Sequence, residues 1–270
     1  MTAAVADRTA VARTRAPGFG DVLRAEWIKF WSVRSTAWSV GTLFVLGAGL
    51  TVLVCATSAD WLASGEADES PASFVTWGLM IAQVTAVVLG TLAATSEYGT
   101  GMIRATLAAV PRRGPVLAAK AVVLAGTLVV AGTVTAFAGY LGGNAFLSAE
   151  GIGLSLSDDG VLRSLVGSGL YLAGLGLLSM AVGLLVRHTA AALSTVLALV
   201  FVVGTMAFLL PGAWGEWVAK VLPGNAGSAV TTPVSFNPEL LGPWTGFAVF
   251  AAEVAALLAV AAWAFSRRDA

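Results

Sequence analysis

The sequence predicts an all-α membrane protein: six spanning helices, both termini on the cytoplasmic side. Three observations lead there. Hydrophobic residues fill 57% of the 270 positions and charged residues 11%, against roughly 25% charged in soluble domains; mean hydropathy is +0.86. Six apolar runs each approach the roughly 20 residues that a helix needs to cross a bilayer. The basic residues gather in alternate connections, as the positive-inside rule requires of one face.

The elements follow in order. Residues 1–20 carry Arg8, Arg13 and Arg15 with no continuous apolar core before Pro17-Gly18. That reads as a disordered cytoplasmic leader and not as a cleaved signal peptide; residues 21–270 then form one transmembrane domain. From Asp21 to Arg34, Leu23, Trp27, Phe30 and Trp31 fall at i, i+4, i+7 and i+8, with Asp21, Lys29 and Ser32 opposite. Aromatic residues on one face and basic ones around them predict an amphipathic helix lying in the membrane interface.

The spans are expected near Ala37–Thr57, Phe74–Thr95, Pro115–Tyr140, Leu162–Val186, Ala190–Leu210 and Trp244–Phe265. Pro115 and Pro243 suit first-turn positions, and Pro211 cannot continue the fifth helix. Thirteen of the fifteen Lys and Arg fall on one side of this arrangement; only Arg163 and Lys220 fall on the other. The link Arg187-His188-Thr189 is so short that the fourth and fifth helices must form an antiparallel hairpin. Gly169, Ala173, Gly176 and Gly183 line one face of the fourth helix and predict close packing against an unspecified neighbour. In the long connection 211–243, Trp214, Trp217, Val218, Val221 and Leu222 predict a short amphipathic helix at the outer face.

Between the second and third spans lies Ser96–Arg113. Met102, Ile103, Thr106, Leu107 and Val110 recur there at i, i+1, i+4, i+5 and i+8, a mostly apolar stripe on a short helix. Gly99 and Gly101 loosen its start and Pro111 stops it. Such a stripe beside the membrane needs lipid headgroups or a partner to cover it.

Chemistry is sparse. No phosphate-cradling G-x-x-x-x-G-K-[ST] occurs. One cysteine (Cys55) and one histidine (His188) leave no disulfide and no Cys/His metal cluster. Ser168 and His188 lie 20 residues apart on one helix, roughly 30 Å at 1.5 Å per residue, too far for a Ser–His pair. Within the spans, Glu253 and Gln83 are the polar residues of note. An intramembrane carboxylate is either a functional group or a hydrogen-bonded tie between helices, and the sequence leaves both open.

The segments E-W-I-K-F-W-S-V-R-S-T (Glu26–Thr36), S-E-Y-G-T-G-M-I-R-A-T-L (Ser96–Leu107), A-A-V-P-R-R (Ala108–Arg113) and L-A-A-K (Leu117–Lys120) carry a resemblance. The chain resembles the permease subunits of bacterial ATP-binding-cassette exporters of the type-2 class, particularly actinobacterial ones. Met102 departs from the threonine or serine expected after Gly101. The resemblance implies that Asp21–Arg34, with Trp27, Lys29, Phe30, Trp31 and Arg34, is an interface helix along the inner leaflet. It also implies that Gly101–Val110 is a coupling helix seated on a separate cassette ATPase, with Glu97, Tyr98, Gly101, Met102, Ile103, Arg104 and Leu107 at the joint. Two permeases, a homodimer or paired heterodimer, would flank a substrate path in the bacterial plasma membrane. Trp77, Met80, Gln83, Phe201, Met206 and Glu253 are its candidate residues. The resemblance further implies that ATP and Mg²⁺ belong to the partner subunit, and that this chain is not itself an enzyme and is expected to bind no cofactor, metal or nucleic acid. The low polarity of Trp77, Met80, Phe201, Met206 and Phe208 suits a lipophilic or amphipathic cargo such as a drug, antibiotic or lipid. The competing readings are an ion-coupled carrier or channel using Glu253 and a non-transporting immunity or sensor-associated subunit.

Overall fold

The computed structural model describes residues 18–109, 113–210, 212–235 and 240–267. Most of the expected leader, residues 1–17, therefore lies outside the described residues, as do Val110 and Pro111 at the expected end of the short helix. The described chain is all-helical, without strands. Six of its helices are long and apolar enough to cross a membrane. It is a multi-pass membrane protein.

Helix α1 (Phe19–Ser32) starts two residues ahead of the expected interface helix, with Asp21 accepting a 3.0 Å bond from the Gly18 amide. A single extended residue, Val33, separates it from the first span, α2 (Arg34–Ala63). The second span, α3 (Leu79–Gly99), begins five residues later than Phe74. Its lead-in is a set of turns from Pro71, where Phe74 and Trp77 stack with centroids 5.7 Å apart. Gly78 explains the late start. A Cβ there would overlap the Gly47 carbonyl of α2, and its amide donates to Thr51 Oγ1 at 2.9 Å. The chain must cross α2 at van der Waals contact before α3 can run.

After α4 (Met102–Ala109), the third span α5 (Arg113–Ala149) runs 37 residues, about 55 Å. It thus passes the expected end at Tyr140 by nine residues. Bilayer thickness bounds the apolar run but not the helix. The extra turns pin the following connection: Asn144 Nδ2 donates to the Leu154 carbonyl at 2.8 Å, Asn144 Oδ1 accepts from the Leu154 amide at 2.7 Å, and the Tyr140 hydroxyl donates to the same carbonyl at 2.7 Å.

The fourth span, α6 (Val161–Val186), is the centre of the bundle. Its apolar window is 67% buried, against 22% for the fifth and sixth spans. The neighbours of its glycine face are now defined. Gly169 meets Val129 and Thr133 of α5, Gly183 meets Ala94 and Thr95 of α3, and a Cβ on Gly90 of α3 would overlap the Gly176 carbonyl. Small residues let α3, α5 and α6 approach backbone to backbone, and dispersion over that surface is what binds helices in lipid.

The fifth span is interrupted. α7 (Thr189–Leu197) passes into a wider π-helical stretch, Ala198–Val203, before α8 (Gly204–Met206). Asn225 donates to the Ala219 carbonyl at 2.9 Å and reaches the Gly204 carbonyl at 3.4 Å, a side-chain partner for backbone loosened by the bulge. The amphipathic helix expected after it is α9 (Gly212–Val221). Gly215 and Ala219 face inward, while Trp214 and Trp217 are 84% and 64% exposed. α10 (Pro223–Ser228) then tucks Gly227 against the rings of Tyr171 and Phe250, and the last span, α11 (Pro243–Arg267), completes the bundle. Arg113 Nη1 donates to the Phe265 carbonyl at 2.6 Å. That bond places the start of α5 and the end of α11 at the same face as α1.

Candidate functional site

The site is built where α1, the end of α3 and the start of α5 meet. On α1, Val22, Glu26 and Lys29 occupy i, i+4 and i+7 and turn toward the bundle, with Val22 packed on Val116 and Ala119 of α5. The two tryptophans take the other side, while Phe30 is half-buried against the core. Trp27 is 50% exposed, and Trp31 stacks obliquely on it at 5.8 Å. Lys29, placed opposite the aromatic stripe by its spacing, is thus a packing residue as well as a polar one.

Four charges close this junction. Lys29 Nζ contacts Glu97 Oε1 at 2.7 Å and pairs with Glu26 one turn earlier. Lys120 Nζ of α5 meets Glu26 Oε2 and Glu97 Oε1, each at 2.9 Å. Glu26 and Glu97 are buried, at 4% and 3% exposure. Two carboxylates alternate with two ammonium groups, so the net charge is zero and each ion is next to opposite charge. A buried carboxylate persists only with such compensation. Burial works to lower the Lys29 pKa, but the hydrogen bonds it donates to Glu26 and Glu97 and their charges outweigh it and hold it above its ordinary value. The quartet forms the polar wall of a cavity of about 130 Å³ whose other wall includes Phe30, Val33, Leu89 and Leu92.

The last turn of α3 is also fastened on its far side. The Arg187 guanidinium lies 5.0 Å from the centroid of the Tyr98 ring, and Thr189 Oγ1 bonds Thr95 Oγ1 at 2.8 Å. Thus Thr95, Glu97 and Tyr98 connect one helix end to four others. Immediately beyond, Gly101 takes φ +69°, a left-handed turn that glycine adopts at low cost, and α4 leaves at a new angle.

The stripe on α4 divides. Ile103 is 5% exposed and joins the main core, whereas Met102 is 42% exposed. Thr106 is half-buried, and Ala105 and Ala108 are exposed with Met102 at three-residue spacing. The uncovered face is therefore Met102–Ala105–Ala108, not the face containing Ile103. Arg104 and Leu107 lie on α4, but their side chains fall outside the described atoms. Arg34 opens α2 and is exposed.

The candidate path residues separate into two groups. Trp77, Met80 and Gln83 line one cavity near the opposite end of the bundle. Phe201, Met206 and Glu253 do not: Phe201 packs on the core, Met206 is exposed, and Glu253 is half-buried in α11 with a buried, unbonded Oε2 among the described residues. Ser168 donates to the Ser164 carbonyl, and His188 Nδ1 caps α7 by accepting from the Ala191 amide. The two belong to separate local structures. Among the described residues no group of His, Cys, Asp and Glu is placed to hold a metal.

Glu26 and Lys120 are the site residues that sequence reasoning missed. Glu26-x-x-Lys29 in the helix just ahead of the first span and a lone Glu and Lys near neighbouring span ends were the available signal: opposite charges at one membrane boundary. Comparison with protein-family models and with curated proteins gave no match.

Proposed function

We propose that this chain is the permease subunit of a type-2 ATP-binding-cassette exporter. In this reading it sits in a bacterial plasma membrane with both termini cytoplasmic, paired with a second permease and with a separate cassette ATPase that holds ATP and Mg²⁺. Its cargo is lipophilic or amphipathic. One observation carries the proposal. A short helix with an uncovered face, Met102–Ala105–Ala108, is joined through Gly101 to a helix end that the Glu97 quartet ties to α1 and α5 at once. A push on α4 is thereby delivered to three helices, as a coupling helix requires. The aromatic outer face of α1, with Trp27 and Trp31, supports its place along the inner leaflet.

Purification from the native membrane tests the reading. A cassette ATPase is expected to co-purify, and reconstituted vesicles are expected to move cargo only with ATP. Flux driven by an ion gradient without ATP would replace the proposal with a Glu253-based carrier. No flux under either energy source would leave a non-transporting subunit.

A further inference from the structure

The second cavity has a chemistry of its own. It measures about 350 Å³ and lies where the start of α3, the middle of α6 and the segment following α10 converge. Trp77, Leu79 and Met80 supply its apolar surface, and the remaining lining residues are uncharged: hydroxyls, the phenol of Tyr171 and the amide of Gln83. Among the described residues no charged side chain lines it.

Its hydrogen bonds are partly committed. The Tyr171 hydroxyl donates to Gln83 Oε1 at 2.8 Å, Thr231 Oγ1 to the Ser228 carbonyl at 2.7 Å, and Ser228 Oγ to the Asn225 carbonyl at 3.2 Å. These hydroxyl oxygens keep lone pairs for a donor. Among the described residues Gln83 Nε2 makes a single 3.5 Å contact, to the Met80 carbonyl, although an amide carries two donor hydrogens. The polar groups at the described wall are therefore neutral and partly committed to the protein itself, and the volume lies in the range of drug-sized ligand sites, roughly 300–1,000 Å³. An ion entering would lose its hydration with no counter-charge to meet it.

We propose that this cavity is a binding site for an uncharged, mainly apolar small molecule carrying one or two hydrogen-bonding groups. An acceptor on that molecule pairs with Gln83 Nε2, its apolar body lies against Trp77 and Leu79, and it enters past Met80, which is 54% exposed at the rim. That such a molecule is the cargo rests on the exporter reading; the pocket does not.

The test uses the purified full chain in lipid nanodiscs, with empty nanodiscs as reference. The probes are Nile red, which is uncharged and bears a carbonyl acceptor, and the cationic dye rhodamine 6G. Nile red is expected to show saturable fluorescence above the empty discs, and rhodamine 6G none. Met80→Trp narrows the rim and is expected to abolish the saturable component. Gln83→Leu removes one donor and weakens binding about fivefold. Val130→Trp, exposed and outside the cavity, leaves it unchanged; helicity and elution volume show which variants are folded. Nile red binding that does not saturate above empty discs, that survives Met80→Trp, or that rhodamine 6G matches would overturn the proposal. The two readings fail separately. Absent dye binding in a chain that retains its cassette ATPase removes only the pocket, whereas saturable binding in a chain that never retains one removes only the exporter.

Discussion

Glu97 touches two lysines from two different helices and holds both with one oxygen. Removing it leaves Lys29 and Lys120 sharing Glu26 alone. Breaking one partner out of a buried ionic cluster costs about 3–5 kcal/mol, so Glu97→Ala should lower the melting temperature in detergent well below that of an exposed control such as Glu216→Ala. Lys29 adds a pH dependence of defined sign. Its folded-state pKa lies above its ordinary value. Its contribution is therefore complete below the unfolded value, about 10.4, and is lost as pH rises through the folded one. Thermal melts should show an alkaline decline beginning above about pH 10.4, shallower in Lys29→Met. The quartet was half legible from the sequence. Glu97 and Lys29 stand out as charges beside apolar runs, but their bond spans 68 positions, and no local pattern reports a contact at that separation.

At the level of elements, apolar length located the spans and helical periodicity the short α4, yet periodicity assigned faces less well. The stripe through Ile103 was the expected contact surface, but Ile103 is consumed by the chain's own core. Hydrophobic spacing shows that a face will be covered without showing what covers it. Two substitutions separate the roles. If the exporter proposal holds, Ala105→Asp, on the exposed face, should abolish ATP-dependent transport while leaving the melting temperature unchanged. Ile103→Asp should lower that temperature outright, because it buries an unpaired charge. Helix crossings give a second contrast. Gly90→Leu forces a side chain into the Gly176 backbone and should cost about 3 kcal/mol or more, read as lost thermal stability. Gly41→Ala meets open space in α2 and should be neutral or stabilising by up to about 1 kcal/mol.

At the scale of the whole molecule, the ends of α1, α3, α5 and α11 share one face, and the connection 150–160 lies at the opposite face. On the proposed topology, which rests on the charge asymmetry, the first face is the cytoplasmic one. Cysteine labelling tests that assignment. With buried Cys55 replaced by alanine, a cysteine at exposed Ser266 should react only with reagent inside right-side-out vesicles, and one at exposed Ser157 only with reagent outside. The opposite pattern would invert the proposed topology and remove α4 from the side on which the proposal places the ATPase. The amino-acid sequence by itself determined the number of spans, their order and the existence of α1, α4 and α9, because apolar length and helical period are local properties of the chain. Tertiary structure alone decided that α6 is central, that Glu26 and Lys120 complete a charge cluster with Lys29 and Glu97, and that Gln83 and Tyr171 meet in an uncharged cavity. Each of these depends on which helices approach one another, and that is set by the fit of glycine faces and compensated charges between residues far apart in the chain.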